Sequence, residues 1–356
     1  MQSKISFLYR LLTSRQRRNT NKGFTLLELL ISLIVASIVV SGLLYMVVEL
    51  TRIDKREATV DQVQRDMNRA MEYMTDELRE SVYVYDDPTP ITDQLTGDSD
   101  YPTGAVPVIA FWKLEPIVSD DLPDCTSGDE DFERLCKVLH IRQSAYTLVV
   151  YFQQENDAGD RKWSGQSRII RYELSRYSAA GISTLTERSG YRDPTSATDS
   201  KAPFEKWEVA DGEVPSGSSN VLVDYVQAPD SGLSKAPLVD VDNDGASAPC
   251  FDYGFYERPL TEKEKETIAG TTKTIPFYRV SPPSANTTTN TSFFACVRNP
   301  DPDDDEETIN RTNQDVYVFL RGSTEGSGIR SFSDESSLPI LETQVIVRGV
   351  VDKSIQ

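Results

Sequence analysis

The chain has 356 residues, 37 of them basic and 56 acidic, for a formal net charge of −19. That length accommodates one large or two ordinary domains, and a surface this acidic repels phosphate backbones, which excludes broad nucleic-acid binding. A single histidine, four cysteines and no CxxC spacing argue against a zinc-centred fold.

Residues 1–23 carry Lys4, Arg10, Arg15, Arg17, Arg18 and Lys22 and no acid; without them 31 basic residues face 56 acidic ones, a balance of −25. By the positive-inside rule such a leader stays in the cytoplasm and the rest of the chain lies across the membrane. An ordinary secretory signal has its small-residue cleavage site after the apolar core. Here the small residue at the boundary is Gly23, before the core, so cutting there removes the leader and keeps the apolar run. Leu29 to Val48 contains no charge, and about 20 apolar residues at a 1.5 Å rise span a bilayer core. Glu28 stands at the edge of that run. A carboxylate at the bilayer centre costs about 2.5–3.5 kcal/mol, so Glu28 needs a partner.

Past the membrane run the chain keeps helical period while turning polar. Val60, Val63, Met67, Met71, Met74 and Leu78 mark one apolar stripe. Asp61 with Arg65, and Asp66 with Arg69, have the spacing at which opposite charges meet on a helix. No Gly or Pro interrupts Leu43 to Asp87. The pattern predicts one helix from about Phe24 to about Val84, with 24–48 in a membrane and 49–86 as its amphipathic half.

From residue 87 onward, β-branched and aromatic runs predict strands at 106–114, 137–142, 146–152, 168–174, 220–226, 277–280, 293–297, 316–321 and 343–351. The polar segments 175–219, 228–249 and 281–314 read as loops, functional or mobile at that length. The expected class is α+β: a long helix packed on an antiparallel sheet with long loop insertions. Residues 87–356 then form an exported β-rich head, either one elaborated domain, the favoured reading, or two subdomains.

Cys125, Cys136, Cys250 and Cys296 all fall in that head, where an even number suggests two disulfides. Of three pairings, the expected one joins Cys125 to Cys136 and Cys250 to Cys296, each closing a local polar loop. His140, in the run Val138 to Ile141, reads as a strand residue rather than a catalyst. No GxSxG is present and no nucleophile has a recognisable partner, so no enzyme is expected. Asp240, Asp242 and Asp244, followed by Gly245, give the D-x-D-x-D-G turn of a calcium loop, with Asp252 near enough to replace the missing twelfth-position Glu. Calcium is the one cofactor expected. The acidic run from Asp301 to Glu307 is a weaker candidate of the same kind.

The basic leader followed by Gly23, Phe24, Thr25, Leu26, Leu27 and Glu28 resembles the signature of type IV prepilins and pseudopilins. The resemblance implies that a membrane-embedded prepilin peptidase recognises Gly23, that Phe24 becomes the N-methylated first residue, and that Glu28 pairs with the amino terminus of a neighbouring pilin during assembly. An ammonium is the compensation a buried carboxylate needs. Tyr45 stands where many major pilins carry a helix-bending proline, which points away from a major pilin. A prepilin leader implies a prokaryote, so Asn286-Thr287-Thr288 and Asn290-Thr291-Ser292 read as a threonine-rich loop rather than glycosylation sites. The segments Asp76 to Asp86, Pro107 to Lys113 and Val345 to Gly349 are similar to the large minor pseudopilins of the PilW and GspJ kind and, more closely, to the hormogonium polysaccharide secretion pseudopilins of filamentous cyanobacteria. That resemblance implies a non-enzymatic subunit of a pilus-like or type II secretion-like envelope machine, working with other pseudopilins and an inner-membrane assembly platform to support polysaccharide export and gliding. Its place would be the inner membrane, single-pass with a periplasmic head, or an extracellular fibre. A second expectation is a tip adhesin or carbohydrate-binding minor pilin, using Phe251, Tyr253, Phe255 and Tyr256 beside the calcium turn. A membrane-anchored enzyme is the third, without a residue set to carry it.

Overall fold

The computed structural model describes residues 24–126, 129–157, 159, 162–196, 199–201, 203–229, 250, 255–259, 272–283, 292–298, 314–325 and 337–348. The chain divides into two compact units, Met1–Glu57 and Ala58–Gln356, and one helix, α1 (Leu26–Glu80), belongs to both. Every described residue of the first unit is exposed. Hydroxyls in this stretch bond within the helix: Ser37 donates to the Ile34 carbonyl at 2.8 Å, Ser41 to Ser37 at 2.7 Å and Thr51 to Val47 at 2.7 Å. Self-satisfied polar groups are what a bilayer core demands, and the helix is long and apolar enough to cross a membrane.

In the second unit α1 buries Val63, Met67, Ala70, Met71, Met74 and Leu78, one stripe at three- and four-residue steps. On the polar faces Asp66 pairs with Arg69 at 3.7 Å, whereas no ion pair joins Asp61 to Arg65. The helix stops at Glu80, short of the expected Val84. Ser81 turns its hydroxyl back onto the Leu78 carbonyl at 2.6 Å, and the β-branched and aromatic run that follows becomes β1 (Ser81–Val84).

After the short turn α2 (Thr89–Thr92), β1 leads into an antiparallel meander of β2 (Val106–Pro116), β3 (Ser144–Glu155), β4 (Ser167–Ser175) and β5 (Ser218–Val226). A separate hairpin pairs β6 (Phe255–Pro259) with β7 (Thr272–Pro276). Then come β8 (Tyr278–Ser281), β9 (Phe293–Arg298), β10 (Asp315–Ser323) and β11 (Ser337–Ile346). The main sheet runs β1-β2-β3-β4-β5-β10-β9-β8, with β11 on the other side of β10. It is curled. Strand β5 joins β10 through the single pair Val226 with Gly322, and the Ser281 hydroxyl donates to the Val108 carbonyl at 2.6 Å, tying β8 back to β2. At Gly322 an added Cβ would lie 2.9 Å from Met67 Cγ, so glycine lets β10 approach the helix. The side-chain amide of Gln314 accepts from the Val84 N–H and donates to the Val84 carbonyl, both at 3.0 Å, and so occupies an edge position of β1.

Alternation along the strands buries both faces of the sheet. Ile109, Phe111, Val149, Tyr151 and Ile169 pack under α1. Ala110, Trp112, Leu148, Val150, Phe152 and Tyr172 face the other way. There Tyr85, Ile91, Leu95, Tyr191 and Trp207 cover them. Trp112 Nε1 donates to the Tyr85 hydroxyl at 2.9 Å, that hydroxyl donates to the Phe204 carbonyl at 2.5 Å, and Trp207 packs edge-on against Trp112 with centroids 5.3 Å apart. Within the segment expected as a polar loop, 175–219, Tyr191, Phe204 and Trp207 therefore pack as a cover on the sheet. These few aromatics anchor an otherwise polar composition.

Two strand expectations are corrected. Residues 137–142 are not a strand but the end of α3 (Glu130–Arg142). The Asp129 carboxylate accepts the Phe132 N–H at 2.8 Å, acids fill the first turn, and Gln143, at φ 47°, closes the end by donating to the Leu139 carbonyl at 2.8 Å. Leu139 and Cys136 pack with Leu122, Tyr177 and Leu185, and His140 lies exposed on this helix. Strand β11 begins six residues before the expected Thr343. Pro339 falls within the register shift between Ile340 and Ser337, a place where an absent N–H breaks no ladder bond.

Candidate functional site

The motif end of the chain is built around Thr25. Its carbonyl and its hydroxyl accept the Glu28 N–H at 3.0 and 3.3 Å, and the Thr25-x-x-Glu28 spacing is that of a capping box. This places Glu28 in the first turn of α1, where the helix dipole favours a negative charge. The Glu28 side chain is exposed, and Phe24, immediately before the helix, is 74 % exposed. Gly23 lies outside the described residues. A helix start that presents an acid and an apolar residue whose side chains have no partner among the described residues suits contact with another molecule.

The head holds a second, buried carboxylate, Glu77, at the seam between α1 and the sheet. Lys113 Nζ donates to Oε1 at 2.6 Å, Arg171 Nη2 to Oε1 at 2.8 Å and Arg171 Nε to Oε2 at 2.9 Å, while the Tyr151 hydroxyl also donates to Oε2. Arg171 Nη1 reaches Glu173 Oε2 at 2.5 Å. The Glu77 side chain is 8 % exposed, and those of Lys113 and Arg171 are each 11 % exposed. Burial pushes the Glu77 carboxyl up, but hydrogen bonds from Arg171, Lys113 and Tyr151 outweigh it and hold the group below its usual value. Burial, then the Glu77 charge, pushes the Tyr151 hydroxyl well up. A carboxylate saturated by donors and a phenol held neutral have no proton to exchange near neutral pH. The cluster is a joint between helix and sheet. Sequence reasoning missed it, although Glu77 interrupts the apolar stripe at the step after Met74, and Lys113 and Arg171 continue the inward alternation of Phe111 and Ile169.

The cysteines pair as Cys125–Cys136 and Cys250–Cys296, each with Cα atoms 5.5 Å apart. Asp240, Asp242, Asp244 and Asp252 lie outside the described residues, as do Phe251, Tyr253 and the run from Asp301 to Glu307. His140 Nε2 is 3.1 Å from the Pro123 carbonyl oxygen. Among the described residues no hydroxyl is hydrogen-bonded to that imidazole, and no catalytic set assembles around it.

Residues 18–44 match the family model described as the prokaryotic N-terminal methylation motif. No curated protein and no solved structure matches the chain. The match spans the end of the leader, the Gly23–Glu28 motif and the first turns of α1. With the long helix and antiparallel sheet, it supports a type IV pilin-like or pseudopilin protein, structural in role, processed by prepilin peptidase and assembling with other pilins. The apolar half of α1 supports membrane anchoring.

Proposed function

We propose that the chain is a minor pseudopilin, a structural subunit of a type IV pilus-like or type II secretion-like envelope machine that supports polysaccharide export and gliding motility. The leader is removed after Gly23 and Phe24 becomes the methylated first residue. The subunit then waits in the inner membrane as a single span with its head in the periplasm. Glu28 finds the amino terminus of a neighbouring subunit on assembly. The observation that carries this reading is the methylation motif running without interruption into a helix exposed and apolar in its first half and buried against the sheet in its second. Mass spectrometry of the mature amino terminus tests the processing, with N-methyl Phe24 expected; a start within or after the apolar run overturns it. Deletion of the gene, scored for filaments, surface polysaccharide and motility, tests the role. Unchanged export and motility would remove the polysaccharide assignment while leaving the pilin class standing.

A further inference from the structure

The chain's only histidine lies beside one of its disulfides. Cys136 and His140 are four residues apart on α3, so they share a helix face. Cys125 arrives from the loop before that helix. The two sulfurs and a ring nitrogen of His140 all lie within 4.8 Å of one another. With Nε2–H donating to the Pro123 carbonyl at 3.1 Å, Nδ1 keeps its lone pair, and a carbonyl acceptor on the remaining ring N–H is the usual companion of a metal-bound imidazole. An open depression of about 610 Å³, lined by Cys125, His140, Asp124 and Lys137 among others, gives access from solvent. Leu122, Leu139, Tyr177 and Leu185 pack around Cys136, so the backbones that carry the three groups are held by more than the S–S bond.

We propose that reduction of the Cys125–Cys136 disulfide converts this corner into a zinc site, with Cys125, Cys136 and His140 as ligands and the fourth position open to the depression. A dithiol or phosphine reductant supplies two electrons, the S–S bond breaks, and two protons from solvent complete two thiols. Zn²⁺ then displaces both thiol protons, forms two Zn–S bonds and accepts the imidazole lone pair. At Zn–S of about 2.3 Å and Zn–N of about 2.0 Å, tetrahedral ligand atoms stand about 3.5–3.8 Å apart. The three donors lie within 4.8 Å of one another in the disulfide form, so once the S–S bond opens the sulfurs must part and the imidazole must close in, movements of the side chains on a backbone that stays in place. The covalent and the coordinate form close the same loop, and the corner keeps its shape in either redox state.

The test uses the full-length protein in detergent micelles, reduced with a phosphine and titrated with Co²⁺ and Zn²⁺. Reduced protein should bind one Co²⁺ with the charge-transfer and d–d bands of a tetrahedral thiolate site, and oxidised protein none. His140→Ala should weaken binding at least tenfold and change the d–d spectrum, and Cys125→Ser with Cys136→Ser should abolish it. In wild-type protein, differential alkylation read by peptide mass spectrometry should show Zn²⁺ shielding Cys125 and Cys136 but not Cys250 and Cys296, a readout that requires no variant to fold. Equal alkylation of all four thiols with and without Zn²⁺, or a cobalt spectrum indifferent to His140→Ala, would overturn the assignment.

Discussion

Replacing Glu77 by glutamine keeps the side-chain volume and removes one charge, leaving Lys113 and Arg171 buried against a neutral amide. Breaking a buried pair by removing one partner costs about 3–5 kcal/mol, because an uncompensated charge remains. At about 2–4 °C per kcal/mol for large domains, the melting midpoint should fall by roughly 6–20 °C. The effect is pH-dependent in a fixed direction. A carboxyl held below its unfolded value of 4.5 contributes stability that is fully present above that value and is lost as pH falls through the folded one. The gap between wild type and Glu77→Gln should therefore be widest near neutrality and narrow as the pH falls below 4.5. Glu77→Leu with Lys113→Met leaves Arg171 paired with Glu173 and should lose less than Glu77→Leu alone. Thermal melts of the full-length protein in micelles, followed by tryptophan fluorescence across that pH range, provide the assay. Coincident midpoints at neutral pH, or a gap that stays constant into acid, would refute the account of this joint.

Glu28→Ala should leave the protein cleaved and membrane-inserted while reducing its incorporation into a purified assembly, because only the intersubunit charge partner is lost; normal incorporation would contradict the role given to that carboxylate. Gly322→Ala places a methyl 2.9 Å from Met67 Cγ and 3.1 Å from Leu338 Cδ1 and should destabilise the fold by about 1–3 kcal/mol as an overpacked contact, measurable as a shifted urea midpoint; paired with Met67→Ala the loss from the added methyl should shrink, leaving the Leu338 contact. The D-x-D-x-D-G spacing from Asp240 to Gly245 leads us to expect that the wild-type protein melts higher in millimolar calcium than in chelator, a stabilisation of about 2.7 kcal/mol at one hundred times the dissociation constant. Asp242→Ala with Asp244→Ala should erase that difference.

Repetition decides which parts of the fold are legible in the chain. The stripe from Val63 to Leu78 repeats over four turns, and the alternation of Ile109 with Phe111 and of Val149 with Tyr151 repeats across neighbouring strands, so helix and meander can be read directly. The Gly23–Glu28 motif is likewise contiguous. Single events are harder. The run Val138 to Ile141 is too short for its period to separate strand from helix, and the deciding signal, the Asp129 cap, lies eight residues upstream of Lys137. Glu77 looks like any exposed helix acid until Lys113, Tyr151 and Arg171 arrive from three different strands. The cover formed by Tyr191, Phe204 and Trp207 is invisible because isolated aromatics in a polar segment carry no period.

Gln314 has a consequence for crowding. Strand edges recruit one another, and proteins concentrated side by side risk fusing through them. Here the amide of Gln314 impersonates a strand residue against Val84 of β1, β11 carries Pro339 and the exposed Glu342, and β8 is four residues long. Edges of this kind resist stray sheet-to-sheet growth when copies crowd together.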